Sequence, residues 1–423
     1  MTDTVTQGTS IRESDGAELL KDFVVMSSFG ATAGGGVDRQ AGTAADGQTR
    51  DWFVNWLTER DFRVEIDAIG NIFGLLEFVP GAPYVLFGSH LDSQPLAGRY
   101  DGAYGVLAAA HCAVRARRDL GTKIPRYNIA VVDWFNEEGS RFKPSMMGSG
   151  VFTDRLNLQS ALSTLDPTGI SVADVLDSIA GRGTFPALDV VGYGEIHVEQ
   201  GRGLDDTGIP IGVVASTWCA YKYEIVVSGE QSHTGSTMMR DRKDALLGAS
   251  RLVVALAELT EKFDEELLHT SVGQLFVLPN SPVTVAREVR MLADLRARES
   301  SILNRAFELL TETIASIQKL TGVTIEIVNT SVWESGPFLE AGLTLIEESS
   351  QELGYESARV LTVAGHDATN MKDLVPTVLV FIPSVDGVSH NEKEFTKDSD
   401  LVAGAEVFTS IVKKMALGAL TVQ

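Results

Sequence analysis

Short, mostly apolar runs alternate with helical patterns through most of the chain. Three of these runs, Tyr84–Phe87, Asn128–Phe135 and Thr377–Ile382, have the length and composition of buried parallel strands. The segment Tyr104–Arg118, which lies between the first two runs, has a helical pattern. Strands that alternate with helices predict an α/β domain with a mostly parallel sheet.

The stretch from about Thr217 to Val332 has a different pattern. It predicts a strand, a long helix, two strands, a second long helix and a last strand, which are Tyr221–Val227, Arg242–Phe263, Gly273–Leu278, Val289–Arg296, Ser301–Thr321 and Val323–Val328. The order βαββαβ is that of a ferredoxin-like domain. The outer α/β pattern resumes near Gly342. We therefore predict a discontinuous α/β domain, residues 1–215 and 334–423, with an inserted domain over residues 216–333.

Charge and cysteine content exclude several classes of function. The chain has 423 residues, with 35 Lys and Arg against 57 Asp and Glu, and a formal net charge of −22. Such a balance argues against nucleic acid and against an anionic membrane surface as partners, although a small anionic substrate is compatible with a locally positive site. No run of 18 apolar residues predicts a membrane span. The two cysteines, Cys112 and Cys219, and a polar start without signal-peptide order predict a reducing, cytoplasmic location.

Histidine and acidic residues form four clusters, three of which follow predicted strands, and one further acid opens the helix after His90. They are His90 in GSHLDSQ, Asp101 in GRYDGAYG, Glu137 and Glu138 in NEEGSRF, His197 in EIHVEQG and His390 in VDGVSHNEKE. Each alone has an ordinary structural explanation, such as a surface histidine or a solvated pair of acids. Because ligands of open α/β sheets bind outside the carboxyl ends of the strands, we expect these residues to converge.

Imidazole and carboxylate together suit a divalent ion such as zinc, manganese, cobalt or nickel. Two ions would need a bridging carboxylate, and Asp101 is placed to serve. The paired acids Glu137 and Glu138 allow a division of work, in which one binds metal and the other takes a proton from water.

Ten short segments, spread from about Gly34 to near the C-terminus, match the sequence motifs of a known protein family. They are GGGVDR, GNIFGLL, GSHLDSQPLAGRYDGAYGV, NEEGSRF, MMGSG, EIHVEQG, IGVV, HTGST with RKDAL, GHDA, and FIPSVDGVSH followed by Glu394. In these segments the chain resembles the M20 metallopeptidase-like amidohydrolases. Within them it is most similar to the N-carbamoyl-L-amino acid hydrolases, β-ureidopropionases and allantoate amidohydrolases, because EIHVEQG is particular to that branch.

The resemblance implies a role for each metal-site residue. His90, Asp101 and His197 would hold one divalent metal ion, and Asp101, Glu138 and His390 would hold the second. Glu137 would be the general base, and Asp92 would orient the His90 imidazole.

The resemblance also implies a homodimer. The inserted domain would be a lid and dimerisation domain, and its His233 would reach the active site of a partner subunit to stabilise the oxyanion. Gln200, Arg296 and Gly365 would contact a small substrate that bears a carboxylate, with Arg296 as a two-pronged donor to that group.

The reaction implied is hydrolysis of an N-carbamoyl amino acid to the amino acid, carbon dioxide and ammonia. An N-acyl amino acid, allantoate and an aromatic amide or amine stay open as substrates, because Val283 stands where the family usually has an asparagine. A non-catalytic binding protein of the same fold is the third alternative, and the completeness of the metal motifs disfavours it.

Overall fold

The structure, a computed structural model, describes residues 2–186, 188–334 and 336–420, and side chains from residue 14 onward. The chain divides into two compact units. The larger unit contains Met1–Ala215, Phe338–Val360 and Gly365–Gln423, and the smaller unit contains Ser216–Pro337 and Leu361–Ala364. Each unit has its own apolar core.

The regular elements are named here in chain order. The strands are β1 (Arg63–Ile66), β2 (Ile72–Leu76), β3 (Tyr84–Ser89), β4 (Asn128–Asp133), β5 (Val190–Val198), β6 (Ile211–Thr217), β7 (Cys219–Ser228), β8 (Ser232–His233), β9 (Leu268–Leu278), β10 (Thr284–Val285), β11 (Glu288–Ala297), β12 (Thr324–Trp333), β13 (Ser357–Thr362) and β14 (Thr377–Ile382). The α-helices are α1 (Thr2–Met26), α2 (Ala44–Thr58), α3 (Ala103–Leu120), α4 (Met147–Phe152), α5 (Leu158–Leu162), α6 (Val172–Ser178), α7 (Gly203–Thr207), α8 (Ala245–Glu258), α9 (Ser300–Thr321), α10 (Glu340–Leu353), α11 (Asp367–Met371) and α12 (Asp398–Ala416).

An eight-stranded sheet forms the centre of the larger unit, in the order β1-β2-β4-β3-β5-β14-β6-β13. The four central strands β4, β3, β5 and β14 run parallel. The flanking pairs β1–β2, β2–β4 and β14–β6 are antiparallel. The prediction of a mixed α/β fold is confirmed, with its parallel part at the middle of the sheet.

Burial explains why the sequences of β3, β4 and β14 are mostly apolar. Every residue of β3, β4 and β14 is buried. The helix α3 packs on β3, β4 and β5, and α12 packs on α3 and on β14. Strands covered on both faces need no alternation of polar and apolar residues.

The smaller unit is built on a four-stranded antiparallel sheet in the order β12-β7-β11-β9. Along the chain its main elements are β7, α8, β9, β11, α9 and β12, which is a βαββαβ order. Buried residues alternate along β7, and in α9 they recur at helical spacing, so each element presents one face to the core. The two-residue strands β8 and β10 form a separate antiparallel pair.

Within the described part of the chain, none of the helices combines the length and apolar character required to cross a membrane.

Candidate metal and catalytic site

The central strands of the larger unit bring the predicted chemistry to one edge of its sheet. His90 directly follows β3, Glu137 and Glu138 follow β4, His197 is the penultimate residue of β5, and His390 lies eight residues beyond the end of β14. Because these four strands are parallel neighbours, their carboxyl ends lie side by side. The structure thus gathers residues that are up to 300 positions apart in the sequence.

Asp101 lies at the centre of the gathered groups. Its Oδ1 is 3.2 Å from His197 Nε2 and 3.7 Å from His90 Nε2. Its Oδ2 is 3.2 Å from His390 Nε2, which is itself 3.4 Å from Glu138 Oε2. Two potential metal-binding groups therefore share one carboxylate, with a different oxygen facing each group.

These separations suit metal ligands. Ligands about 2.0 Å from a tetrahedral zinc ion are about 3.3 Å from one another. The donor set of three imidazoles and two carboxylates is also one that zinc, manganese, cobalt and nickel accept. The residues present therefore fit a pair of divalent ions.

Local backbone geometry fixes Asp101 in this position. Gly102 has φ of 62°, and a Cβ added to it would lie 2.2 Å from the His90 ring, so a residue with a side chain is excluded. The buried Glu394 accepts hydrogen bonds from the backbone N–H groups of Tyr100 (2.9 Å) and Asp101 (3.1 Å). Since α3 begins at Ala103, its N-terminal dipole also favours a negative charge here.

The two buried histidines present the nitrogen that a metal would need. His90 Nδ1 donates to the backbone oxygen of Asp92 at 3.0 Å, and His197 Nδ1 donates to that of Val198 at 2.8 Å. With Nδ1 bonded to a backbone oxygen, each imidazole presents its Nε2 atom to the Asp101 carboxylate.

Asp92 supports this site through two different groups. Its backbone oxygen orients His90, whereas its carboxylate Oδ1 is 3.6 Å from His90 Nδ1. The same carboxylate accepts the backbone N–H groups of Glu137 (3.1 Å) and Glu138 (3.3 Å). Asp92 therefore links the loop after β3 to the loop after β4.

Glu137 and Glu138 point to different partners. Glu137 is 7% exposed, and its Oε2 is 3.5 Å from His90 Nε2. Glu138 approaches His390 and accepts hydrogen bonds from the backbone N–H of Gln94 (3.1 Å) and from its side-chain amide (2.9 Å). Glu138 therefore belongs to the group that contains His390, whereas Glu137 lies next to His90 and outside that group.

Crowded, buried carboxylates dominate the electrostatics of the site. Burial raises the pKa of Glu137 well above its ordinary value, and the charges of Asp367 and Glu138 raise it further. Burial and Asp101 raise the pKa of Glu138 to about 7. Crowded carboxylates of this kind are stabilised by protonation or by positive charge nearby.

The histidines respond to the same charges in opposite ways. Burial lowers the pKa of His90 to about 4. Burial would also lower the pKa of His197, but its hydrogen bond to Asp101 raises it to about 9. His390 likewise has a pKa of about 9, because Asp101 and Glu138 outweigh burial. Protons on the imidazoles thus partly balance the acids.

Gln200, a predicted substrate contact, lies beside the shared carboxylate. Its amide Nε2 donates to Asp101 Oδ2 at 2.8 Å and to Ser389 Oγ at 3.2 Å. Its Oε1 is buried without a hydrogen-bond partner, so an acceptor is available there for an N–H group.

Gly365, the other predicted substrate contact of the larger unit, packs closely on Met146. A Cβ added to Gly365 would lie 3.2 Å from the Met146 methyl carbon.

Two predicted residues, His233 and Arg296, belong to the smaller unit. His233 is exposed, and its Nδ1 accepts the backbone N–H groups of Gly235 (2.9 Å) and Ser236 (3.1 Å). Because Nδ1 accepts these bonds, Nε2 is the ring nitrogen left to act as a donor. Arg296 forms a two-pronged ion pair with Asp294, at 3.1 and 2.8 Å, and donates to the Val363 carbonyl, so part of its donor capacity is already used.

Sequence reasoning missed a second buried cluster next to His197. Glu195, His197 and His366 form a further group with ligand atoms close together. The neighbouring Asp367 is buried, and one of its oxygens lacks a hydrogen-bond partner. The signal was available in EIHVEQG and GHDA, where these residues adjoin assigned ones.

The chain belongs to Peptidase family M20/M25/M40, whose sequence profile matches residues 86–414. A protein of Mycolicibacterium smegmatis that is named as a hydrolase is 53% identical over 95% of this chain and 94% of its own length. An N-carbamoyl-L-amino-acid amidohydrolase of Rhizobium meliloti is 32% identical over 96% of this chain and 97% of its own length.

A solved structure is similar over nearly the whole length of the chain. It is an amidase of the hydantoinase/carbamoylase family from Burkholderia vietnamiensis, with a TM-score of 0.90 and 33% identity over 96% of this chain and 98% of its own. Together with the relatives, it makes this chain a hydrolase of linear C–N bonds and confirms the resemblance described above.

Proposed function

We propose that the chain is a binuclear metal-dependent amidohydrolase that cleaves N-carbamoyl amino acids. The observation that carries the proposal is the geometry of Asp101, whose two oxygens face separate sets of ligands. His90 and His197 would hold one ion with Asp101, and Glu138 and His390 would hold the other. When bound, the ions would polarise the scissile carbonyl and make water acidic.

Glu137 would transfer the proton during hydrolysis. Glu137 is buried and lies within 3.5 Å of His90 Nε2, so it is placed to take a proton from water at the site. It would return this proton to the nitrogen that leaves as the amino group. The other product, carbamate, would break down to carbon dioxide and ammonia. Gln200 Oε1 supports a ureido substrate, because it would accept a hydrogen bond from an N–H group.

A second substrate class, N-acyl amino acids, is favoured by one observation. Val283 is 60% exposed, and its carbonyl accepts the Thr234 N–H at 3.2 Å, so it lies next to His233. An apolar side chain beside the predicted oxyanion donor would suit an apolar acyl group better than a ureido group.

A substrate panel separates the two classes. Metal-loaded protein is given N-carbamoyl-L-amino acids, N-carbamoyl-β-alanine, allantoate and N-acyl amino acids, and both ammonia and liberated amine are measured. The proposal predicts ammonia from a ureido compound. Amine from N-acyl substrates without ammonia from any ureido compound would contradict the proposal. In that case Val283→Asn should shift the substrate preference towards ureido compounds. Val328→Asn is the control, because Val328 lies on β12 with a similar exposure, and it should leave the preference unchanged.

We further propose a cytoplasmic homodimer joined through the smaller unit, and the low cysteine content of the chain, with both Cys112 and Cys219 buried, agrees with a reducing compartment. The strand β9 lies at one edge of its sheet and exposes Leu275, Phe276 and Leu278. The adjoining helix α8 exposes Leu246 and Leu247. An apolar sheet edge of this kind favours pairing with a second copy.

Mixing two inactive variants tests whether subunits share active sites. In a dimer of Glu137→Gln with His233→Ala, one site would have both native residues if His233 serves the partner subunit. Random reassortment should then restore about one quarter of the wild-type activity, because half of the dimers are mixed and each has one native site. Activity that stays at the level of the separate variants would contradict the shared site.

A further inference from the structure

Buried charged groups hold the backbone between His90 and Asp92. Asp133 Oδ1 accepts the Leu91 N–H at 2.9 Å, and Arg39 Nε donates to the Leu91 carbonyl at 2.9 Å. Arg39 and Ser93 are joined by two further hydrogen bonds, Arg39 N–H to Ser93 Oγ (3.1 Å) and Ser93 N–H to the Arg39 carbonyl (3.2 Å). Both peptide units that flank Leu91 are therefore fixed by side chains of opposite charge.

Asp133 is itself held by a second buried arginine. Arg50 Nη1, on α2, donates to Asp133 Oδ2 at 2.8 Å, and the two side chains are only 5% and 1% exposed. Arg50 also donates to the Gly70 carbonyl. A buried ion pair is weak evidence for stability, since apolar residues of similar volume are often as stable. The position of this pair points instead to the backbone that it holds.

This backbone connects directly to the catalytic groups. His90 precedes Leu91, and Asp92 follows it. Asp92 orients His90 through its backbone oxygen and holds the N–H groups of Glu137 and Glu138 through its carboxylate. A shift of the Leu91 peptides would therefore move a metal ligand and the general base together.

We propose that Arg39, Arg50 and Asp133 are positioning residues of the metal site. The Arg50–Asp133 pair and Arg39 clamp the peptides of Leu91 and so set the geometry that two divalent ions require. This inference rests on the proposed function, because it assumes that the site binds metal. It assigns to buried groups of α2, β4 and the loop after α1 an effect on metal affinity, although none of them touches a metal ligand side chain.

Two double variants separate positioning from simple packing. Asp133→Leu/Arg50→Met removes both charges and the acceptor for the Leu91 N–H. Asp133→Asn/Arg50→Met removes both charges but keeps an acceptor oxygen. Both remove the Arg50–Asp133 ion pair as a whole, and Arg39 and Arg141 stay near the buried Asp46, which also faces Arg50. Asp22→Asn is the matched control, because Asp22 is another largely buried carboxylate, bonded to Trp56 and His111 rather than to the site.

The readouts are the affinity for manganese by competition with a chelator, the visible spectrum of the cobalt-loaded protein, and unfolding of the metal-free protein. The leucine variant should bind manganese about 10- to 100-fold more weakly, with an altered cobalt spectrum. The asparagine variant, which loses Arg50 but keeps the acceptor for the Leu91 N–H, should show a smaller loss of up to about 10-fold, and the control should stay within about 3-fold of wild type. If neither double variant folds, Arg39→Lys should weaken manganese binding at least about 3-fold by releasing the Leu91 carbonyl.

Wild-type manganese affinity and a wild-type cobalt spectrum in the leucine variant would overturn the inference. Equal losses of affinity in the two double variants would also overturn it. If the double variants do not fold, an unchanged manganese affinity in Arg39→Lys would overturn it. Wild-type protein that binds no metal would instead overturn the proposed function. The two failures are thus distinguishable.

Discussion

Replacement of Glu137 by glutamine should lower kcat by about 10²- to 10⁴-fold, the range that a positioned general base contributes. The amide keeps the shape of the side chain but cannot accept the proton of the attacking water. Glu137 is not in either group of potential ligands, so the variant should bind its metals as wild type does. Steady-state kinetics and elemental analysis of the same preparation measure both properties.

The control for this variant is Glu199→Gln. Glu199 lies two residues after His197, and its carboxylate accepts the backbone N–H of Leu204 rather than facing the site. It should keep activity within a few-fold of wild type. Loss of metal together with activity in Glu137→Gln would show that Glu137 is a ligand and would contradict its assignment as the base.

Replacement of Asp101 by alanine should remove both metal ions at once and abolish hydrolysis. Each oxygen of Asp101 faces a different group of ligands, at 3.2 Å from His197 and from His390. His390→Ala is the informative comparison, because it removes a ligand from one group only. Elemental analysis should find close to no metal in the first variant and about one ion per subunit in the second.

Retention of two ions by Asp101→Ala would contradict a shared carboxylate. Equal losses in the two variants would also contradict it, because the group of His90 and His197 does not include His390.

Periodicity predicted the central elements well because burial there is complete. The run Thr377–Ile382 coincides with β14, and Tyr104–Arg118 differs from α3 by one residue at its start and two at its end. The flanking antiparallel strands escaped prediction, because strand direction is set by connections and neighbours rather than by composition. The last strand of the smaller unit also extends beyond Val323–Val328, since exposed residues continue it to Trp333.

The candidate site was readable from the sequence wherever a polar residue follows an apolar strand. The sequence could not predict which of these groups form ion pairs or hydrogen bonds with one another. Arg296 was predicted to clamp a substrate carboxylate, and the structure pairs it with Asp294 two residues earlier on the same strand. Asp133 appeared only as a polar residue inside the apolar run Asn128–Phe135, and its bond to the Leu91 N–H depends on the alignment of β4 with β3.

Under the proposed function, hydrolysis depends on a pair of metal ions held around Asp101. The most direct test is ammonia release from an N-carbamoyl-L-amino acid by metal-stripped protein to which manganese or zinc is added in measured equivalents. We expect no activity without metal and full activity at about two equivalents per subunit. Ammonia release that persists after complete metal removal would contradict the proposed function.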